Sequence, residues 1–431
     1  MPFYCKQGKI PPKRHTAFTK EDGSIYYEEL VSREGFSSIY SNLYHLQRPT
    51  QISKVGENIK CELVKAETKH RARHIITAKL DTSGDAIASR TSLFFNSDII
   101  ISVATVSENM DYSYRNGSAD ELFYVQYGEG NLDTNFGRLH IKNGDYVIIP
   151  RGVIWQMNPK GTIRMLVVES AEPVETPNRY RNRFGQLLEH SPFCERDIQT
   201  PKLQEPITNN NEYLVRVKTL DGIQEYTYAN HPCDVVGWDG YYFPWKMSIH
   251  DFEPIVGSIH QPPTVHQTFQ TQGFVICSFV PRLFDFHPES IPAPYPHSNV
   301  DSDEVIYYSK GDFMSRQGIQ EESITLHPMG LPHGPQPGKY QSSIGKEKTD
   351  ELAVMIDTFK PLNVTKSALG IDDVDYAQEP ESIYWAVRED GVLLGMTYQR
   401  EEDVVAWHRH IFGGTDQNCT ITVSDYANIQ T

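Results

Sequence analysis

Between Thr91 and Ser170 the chain passes through SLFFN, DIIISVATV, ELFYVQYG, GRLHI, DYVIIP and TIRMLVVES, short apolar and aromatic runs bounded by Gly, Pro and Asn. Runs of that length, rich in β-branched and aromatic side chains and closed by turn residues, predict strands and leave little room for helices. Many such strands in succession predict a sandwich or barrel. A Pro- and Asn-rich connection from about Ala171 to Asn211, which includes TNNNEY, reads as a crossover. Strand-like runs then resume in EYLVRV, GFVICSFV, EVIYYSKG, SITLHPMG and ELAVMIDTF. Two β-rich halves predict a duplicated fold.

The spacing of the two halves agrees. In the first, Glu121 is followed by Gly128, and then Pro150, Gly152 and Trp155 stand in PRGVIW. In the second, Glu304 is followed by Gly311 at the same interval, and Pro328, Gly330 and His333 stand at the matching offsets in PMGLPH.

His297, Asn299, Glu304 and Gly311 fit H-x-[HN]-x-x-x-x-E-x-x-x-x-x-x-G, and Pro328, Gly330 and His333 fit P-x-G-x-x-H. The combined pattern resembles the paired motifs of the cupin barrel. In the first half the same template positions hold Tyr114, Asn116, Glu121 and Trp155, so that copy keeps the turns and lacks the histidines. A narrower resemblance, to the homogentisate 1,2-dioxygenase family, rests on Y-x-H-x-N from Tyr295 to Asn299 and L-H-x-M-x-x-P-H-G-P from Leu326 to Pro335. It covers roughly residues 1–376 and is specific in the second half.

The resemblance implies an all-β fold, a double-stranded β-helix (jelly roll) duplicated as a bicupin. The expected domains are a degenerate half over 1–210, a metal-binding half over 211–376 and an appended β-rich tail over 379–431. It also implies an Fe(II)-dependent enzyme that cleaves the ring of homogentisate with O2 to give maleylacetoacetate, a step of tyrosine and phenylalanine catabolism. A bicupin acting on another para-hydroquinone such as gentisate is the alternative, as is a metal-free bicupin that only binds.

Fe(II) that activates O2 commonly takes two histidines and one carboxylate on one face and leaves positions open. His297, Glu304 and His333 form that set. Asp303 and Glu304 are adjacent on one strand, so only one can face the interior. The interval to Gly311 selects Glu304 and makes Asp303 a solvated or supporting acid. The family's catalytic histidine falls on His260, with His266 the nearby competitor. Tyr295, Arg316, His327 and His333 are the expected substrate contacts, although His327 also suits orienting a ligand. Where the family carries a substrate-binding tyrosine this chain has Phe313.

The 40 Lys and Arg against 56 Asp and Glu of this 431-residue chain leave a net charge of −16, which argues against nucleic acid as a partner. The expected partners are a small aromatic acid, O2 and further copies of the chain, as trimer or hexamer. Six scattered cysteines without a C-x-x-C pair predict reduced thiols. No run suggests a membrane span or a signal segment, so the cytoplasm is the expected location. The tail, YWAVREDGVLLGMTYQREEDVVAWHRH, predicts two or three strands around a D-G turn and resembles a phage tail structural repeat. Its His408 and His410 lack a carboxylate at barrel spacing.

Overall fold

The computed structural model describes residues 3–209, 211–311, 313, 319–373 and the strands Ile383–Val387, Leu393–Gln399 and Val404–His410. Arg316 lies outside these residues. The chain divides into two compact units, Met1–Pro335 with Lys339–Val374, and Gln336–Gly338 with Asp375–Thr431. Among the described residues the only α-helices are the short Lys339–Ser343 and Lys366–Leu369, so the fold is all-β. No described helix is long and apolar enough to cross a membrane.

Two seven-stranded sheets dominate the larger unit. One has Asp120–Tyr127, Ile163–Ser170 and Ile99–Val106 at its centre, and the central Ile163–Ser170 is buried along its whole length. The other runs from Gly137–Lys142 through Ser113–Asn116 and Tyr213–Lys218 to Ile52–Ile59 at its edge. A strand covered on both faces must be apolar at successive positions, which is why MLVVES lacks alternation.

A six-stranded sheet carries the second half, in the order Gln267–Gln270, Phe274–Phe279, Leu352–Thr358, Asp303–Lys310, Ser323–His327, Arg73–Ile76. Its last strand comes from the N-terminal part of the chain. In return Asn363–Val364 pairs with Thr91–Phe95. The exchange gives each sheet an edge partner that covers otherwise open backbone groups. Between the halves, the Tyr124 hydroxyl meets Ser309 Oγ at 2.7 Å and the Tyr146 hydroxyl meets Ser278 Oγ at 2.8 Å. Buried hydroxyls paired in this way remove the desolvation cost of packing two sheets face to face.

The template glycines have a steric cause. Gly128 and Gly311 follow equivalent strands with φ of 89° and 106°, a region that side chains disfavour. A Cβ there would also strike the carbonyls of Thr162 and Asp350.

In the smaller unit, the three tail strands form an antiparallel sheet in which His408 faces Gly395 and His410 faces Leu393. The expected turn at Asp390 and Gly391 lies outside the described residues. The described cysteines, Cys5, Cys61, Cys194, Cys233 and Cys277, are free thiols.

Candidate metal centre

The strand Asp303–Lys310 places Glu304 and Asp303 on opposite faces, and both are buried, at 6% and 3% exposure. Glu304 faces the barrel interior. Of the two roles open to Asp303, solvated or supporting, the structure shows a supporting one: its two carboxylate oxygens accept hydrogen bonds from the backbone N–H groups of Met329 and Leu362, each at 2.7 Å. The sheet's outer face is covered by those two segments, so this acid fastens loops instead of meeting water.

His297 and His333 lie on segments that form a backbone bridge, each N–H donating to the other's carbonyl at 2.8 Å. Their ring centroids are 4.4 Å apart. His297 Nδ1 lies 3.3 Å from the Tyr295 carbonyl and His333 Nδ1 lies 3.1 Å from the Leu331 carbonyl. A ring that donates from Nδ1 presents Nε2 as its free lone pair. Both Nε2 atoms sit 3.8 Å from the Glu304 carboxylate. The ligand atoms of His297, Glu304 and His333 all lie within 4.8 Å of one another, as a shared metal ion requires.

The fit to a cation is supported by one orphan. His333 Nε2 is buried without a hydrogen-bond partner, a cost that a metal bond would remove. Burial would raise the Glu304 carboxyl, but the surrounding imidazoles of His297, His327 and His333, with His327 hydrogen-bonded to it, outweigh burial and hold the group well below the usual carboxylate range. A carboxylate beside two imidazoles suits a divalent ion.

His327 stands behind this set. It is wholly buried, its Nδ1 is 2.6 Å from Glu304 Oε1, and its ring stacks on His333 at 4.9 Å and 19°. The remaining candidates line a cavity of about 440 Å³ that opens on the three ligands. His260 is half-exposed there, with its ring 5.3 Å from Tyr295 and Nδ1 3.9 Å from Asp285. His266 lines the same cavity, pushed down to about 3 by burial and by Arg282. Phe313 packs on Tyr308 at 4.6 Å and presents an apolar wall.

Sequence reasoning missed Arg282, Glu351 and Asp357, which also line the cavity. Arg282 and Glu351 are ion-paired at 3.1 Å. Asp357 pairs directly opposite Glu304 on the neighbouring strand, and burial together with the Glu304 charge pushes it up to about 7. Nothing but a cross-strand register could have revealed it.

The first half resolves the same wall differently. Glu121 and Glu169 face each other across adjacent strands. Between them lies Arg90, with Nη1 2.7 Å from Glu121 and 3.4 Å from Glu169. Its guanidinium sits 5.5 to 5.9 Å from the rings of Phe123, Tyr114 and Trp155. Trp155, at the position of the second-half His333, donates from Nε1 to Glu121 at 3.0 Å, and Lys218 closes on Glu169 at 2.6 Å. A fixed cation and aromatic walls occupy the place where the histidines would stand.

A duplicated all-β barrel with two histidines and a carboxylate on one cavity wall defines a metal-dependent cupin of the dioxygenase type. Residues 81–249 match the family described as homogentisate 1,2-dioxygenase, N-terminal. The chain is 44% identical over 382 residues to a candidate dioxygenase of Saccharolobus solfataricus, covering 87% of this chain and 98% of that protein. It is 28% identical over 286 residues to the homogentisate 1,2-dioxygenase of Bradyrhizobium diazoefficiens, spanning 62% of each. A cupin 2 conserved barrel domain protein from Leptotrichia buccalis covers 69% of this chain with a TM-score of 0.33 and 12% identity. The chain belongs to one family with the Saccharolobus solfataricus dioxygenase, and its residues 81–249 carry the N-terminal domain of homogentisate 1,2-dioxygenase.

Proposed function

We propose that the protein is an Fe(II)-dependent ring-cleaving dioxygenase whose substrate is homogentisate, opened with O2 to maleylacetoacetate. The observation that carries this reading is the ligand set His297, Glu304 and His333 at the wall of a largely apolar cavity sized for a substituted ring. Iron, when bound, supplies the electron transfer that lets O2 react with an electron-rich ring. The chain's own residues do the rest. His297 and His333 hold their Nε2 atoms toward the cavity through their Nδ1 contacts, and His327 fixes the Glu304 carboxylate. His260, beside Tyr295 at the cavity wall, takes a ring hydroxyl proton, with Asp285 near enough to favour the imidazolium that forms. Phe279, Phe313 and Met355 exclude water from the ring. Both atoms of O2 enter the product, so no external reductant is needed.

Phe313 in place of the family's tyrosine removes a hydroxyl from the pocket, and this favours testing gentisate beside homogentisate. The test is metal analysis of the purified protein, then oxygen uptake with each hydroquinone. One iron per chain and uptake matched to maleylacetoacetate support the reading. An iron-free protein, or uptake with gentisate alone, overturns it.

A further inference from the structure

Each half of the fold carries one pair of acids facing each other across adjacent central strands: Glu121 with Glu169, and Glu304 with Asp357. Like charges directly opposite on one sheet face destabilise it. In the first half the cost is removed by Arg90 and Lys218, and Asn116 donates a further bond to Glu169 at 2.9 Å. In the second half Glu304 has His327, but Asp357 has been left otherwise. Its Oδ1 is enclosed and has no hydrogen-bond partner, and the residue lines the cavity.

An acid kept beside another acid, with one oxygen enclosed and unpartnered, serves nothing in the packing of the sheet. Direct ligation of the metal does not explain it. The atoms gathered within 4.8 Å belong to His297, Glu304 and His333, without Asp357, and aspartate is one methylene shorter than the Glu169 that reaches Arg90. The Asp357 side chain lines the cavity with Oδ1 unpartnered. A ring hydroxyl entering the cavity supplies the donor that this oxygen lacks.

We propose that Asp357 is a substrate-binding residue that accepts a hydrogen bond from a hydroxyl of the ring substrate, and so selects a dihydroxylated ring over a monohydroxylated one. The assignment rests on the proposed function for the identity of the ring. It assigns the selectivity to a residue outside the ligand set, contributed by a different strand. A ring lacking the matching hydroxyl leaves the buried carboxylate unpaired and is rejected for that reason.

The test is anaerobic binding of homogentisate, 2-hydroxyphenylacetate and 3-hydroxyphenylacetate to the iron-loaded protein and to its Asp357→Asn variant. Each analogue lacks one of the two ring hydroxyls. The variant is expected to bind homogentisate about 10- to 100-fold more weakly, the range for a hydrogen bond to a charged group. Binding of the analogue without the matching hydroxyl should change by less than about twofold, because that contact is already missing. The variant should keep its iron, and its metal-free form should melt no lower than the parent, since a like-charge pair has been relieved. Equal weakening of all three compounds overturns the assignment, as do loss of iron or a lower melting temperature. A variant that binds homogentisate as the parent does overturns this assignment alone, whereas a parent that fails to bind homogentisate overturns the proposed function and the assignment with it.

Discussion

His327 offers the cleanest separation of metal support from substrate contact. Its family position suits either role, but here it is wholly buried, does not line the cavity, and closes on Glu304 Oε1 at 2.6 Å. His327→Phe keeps a ring to stack on His333 and removes both nitrogens. The lost interaction is a buried hydrogen bond to an ionised carboxylate, worth about 1.5 to 3 kcal/mol. Because Glu304 is a candidate ligand, that loss falls on metal binding and predicts an affinity lower by about 10- to 100-fold, the range seen when a ligand's supporting partner is removed. The assay is competition for Fe(II) against a chelator of known affinity, followed by KM for the ring substrate at saturating metal. Weaker iron binding with an unchanged KM is the expected result. An unchanged iron affinity with a raised KM would refute the reasoning and make His327 a substrate contact.

Glu304→Gln should abolish stoichiometric iron, because it removes the anionic ligand. Asp303→Asn should keep iron and lower unfolding free energy by about 1 to 3 kcal/mol, since one of two backbone donors then faces an amide NH2; metal analysis and denaturant melts read both. His260→Ala should retain iron and turn over about 10²- to 10⁴-fold more slowly, the range for a removed general base, and oxygen uptake checks it. Arg90→Met leaves Glu121 and Glu169 buried together and should cost about 3 to 5 kcal/mol of stability in chemical denaturation. Finally, burial opposes charging of His45, but the hydrogen bonds its ring donates to Asp234 and Glu29 push it up to about 9. A folded value above the unfolded one stabilises fully below the ordinary histidine range, so that contribution is lost as pH rises through 9. The expected change is about 3 kcal/mol, from about 1.4 kcal/mol per unit, seen as a falling melting temperature in the parent and a flatter profile in His45→Gln.

The ligand set was legible because its spacing is local geometry. Glu304 and Gly311 bracket a single strand, and Gly311 ends it in a conformation that only glycine adopts readily, so the interval between them is a structural length. The Pro-Met-Gly turn before His333 is fastened in the same way, with Gly330 donating to the Asn299 carbonyl at 2.7 Å. Asp357 was not legible, because ELAVMIDTF reads as a core strand and its relation to Glu304 depends on pairing across 53 residues of chain, Glu304 to Asp357. The choice between a solvated and a supporting Asp303 stayed open for a related reason: alternation tells which face a side chain takes, but not whether a loop covers that face. The exchange of Arg73–Ile76 and Asn363–Val364 between the halves is likewise a matter of which edges meet in space.

The duplicated acid pairs show what distinguishes the halves. Both keep two carboxylates opposite each other in a buried wall, a costly placement unless a cation stands nearby. The first half supplies that cation covalently: Arg90 lies between Glu121 and Glu169, with aromatic rings around its guanidinium. Such a site is full at all times and has no position for a substrate. The second half places His297 and His333 at the positions of Tyr114 and Trp155, and a divalent cation held there would balance the acid pair. A cation taken from solution brings open coordination positions, whereas a guanidinium brings none. The absence of histidines and the presence of Arg90 in the first half fit together, since a buried acid pair without metal ligands needs a resident positive charge. Restoring a histidine at Trp155 alone should not restore a metal site there, because Arg90 would still hold both carboxylates.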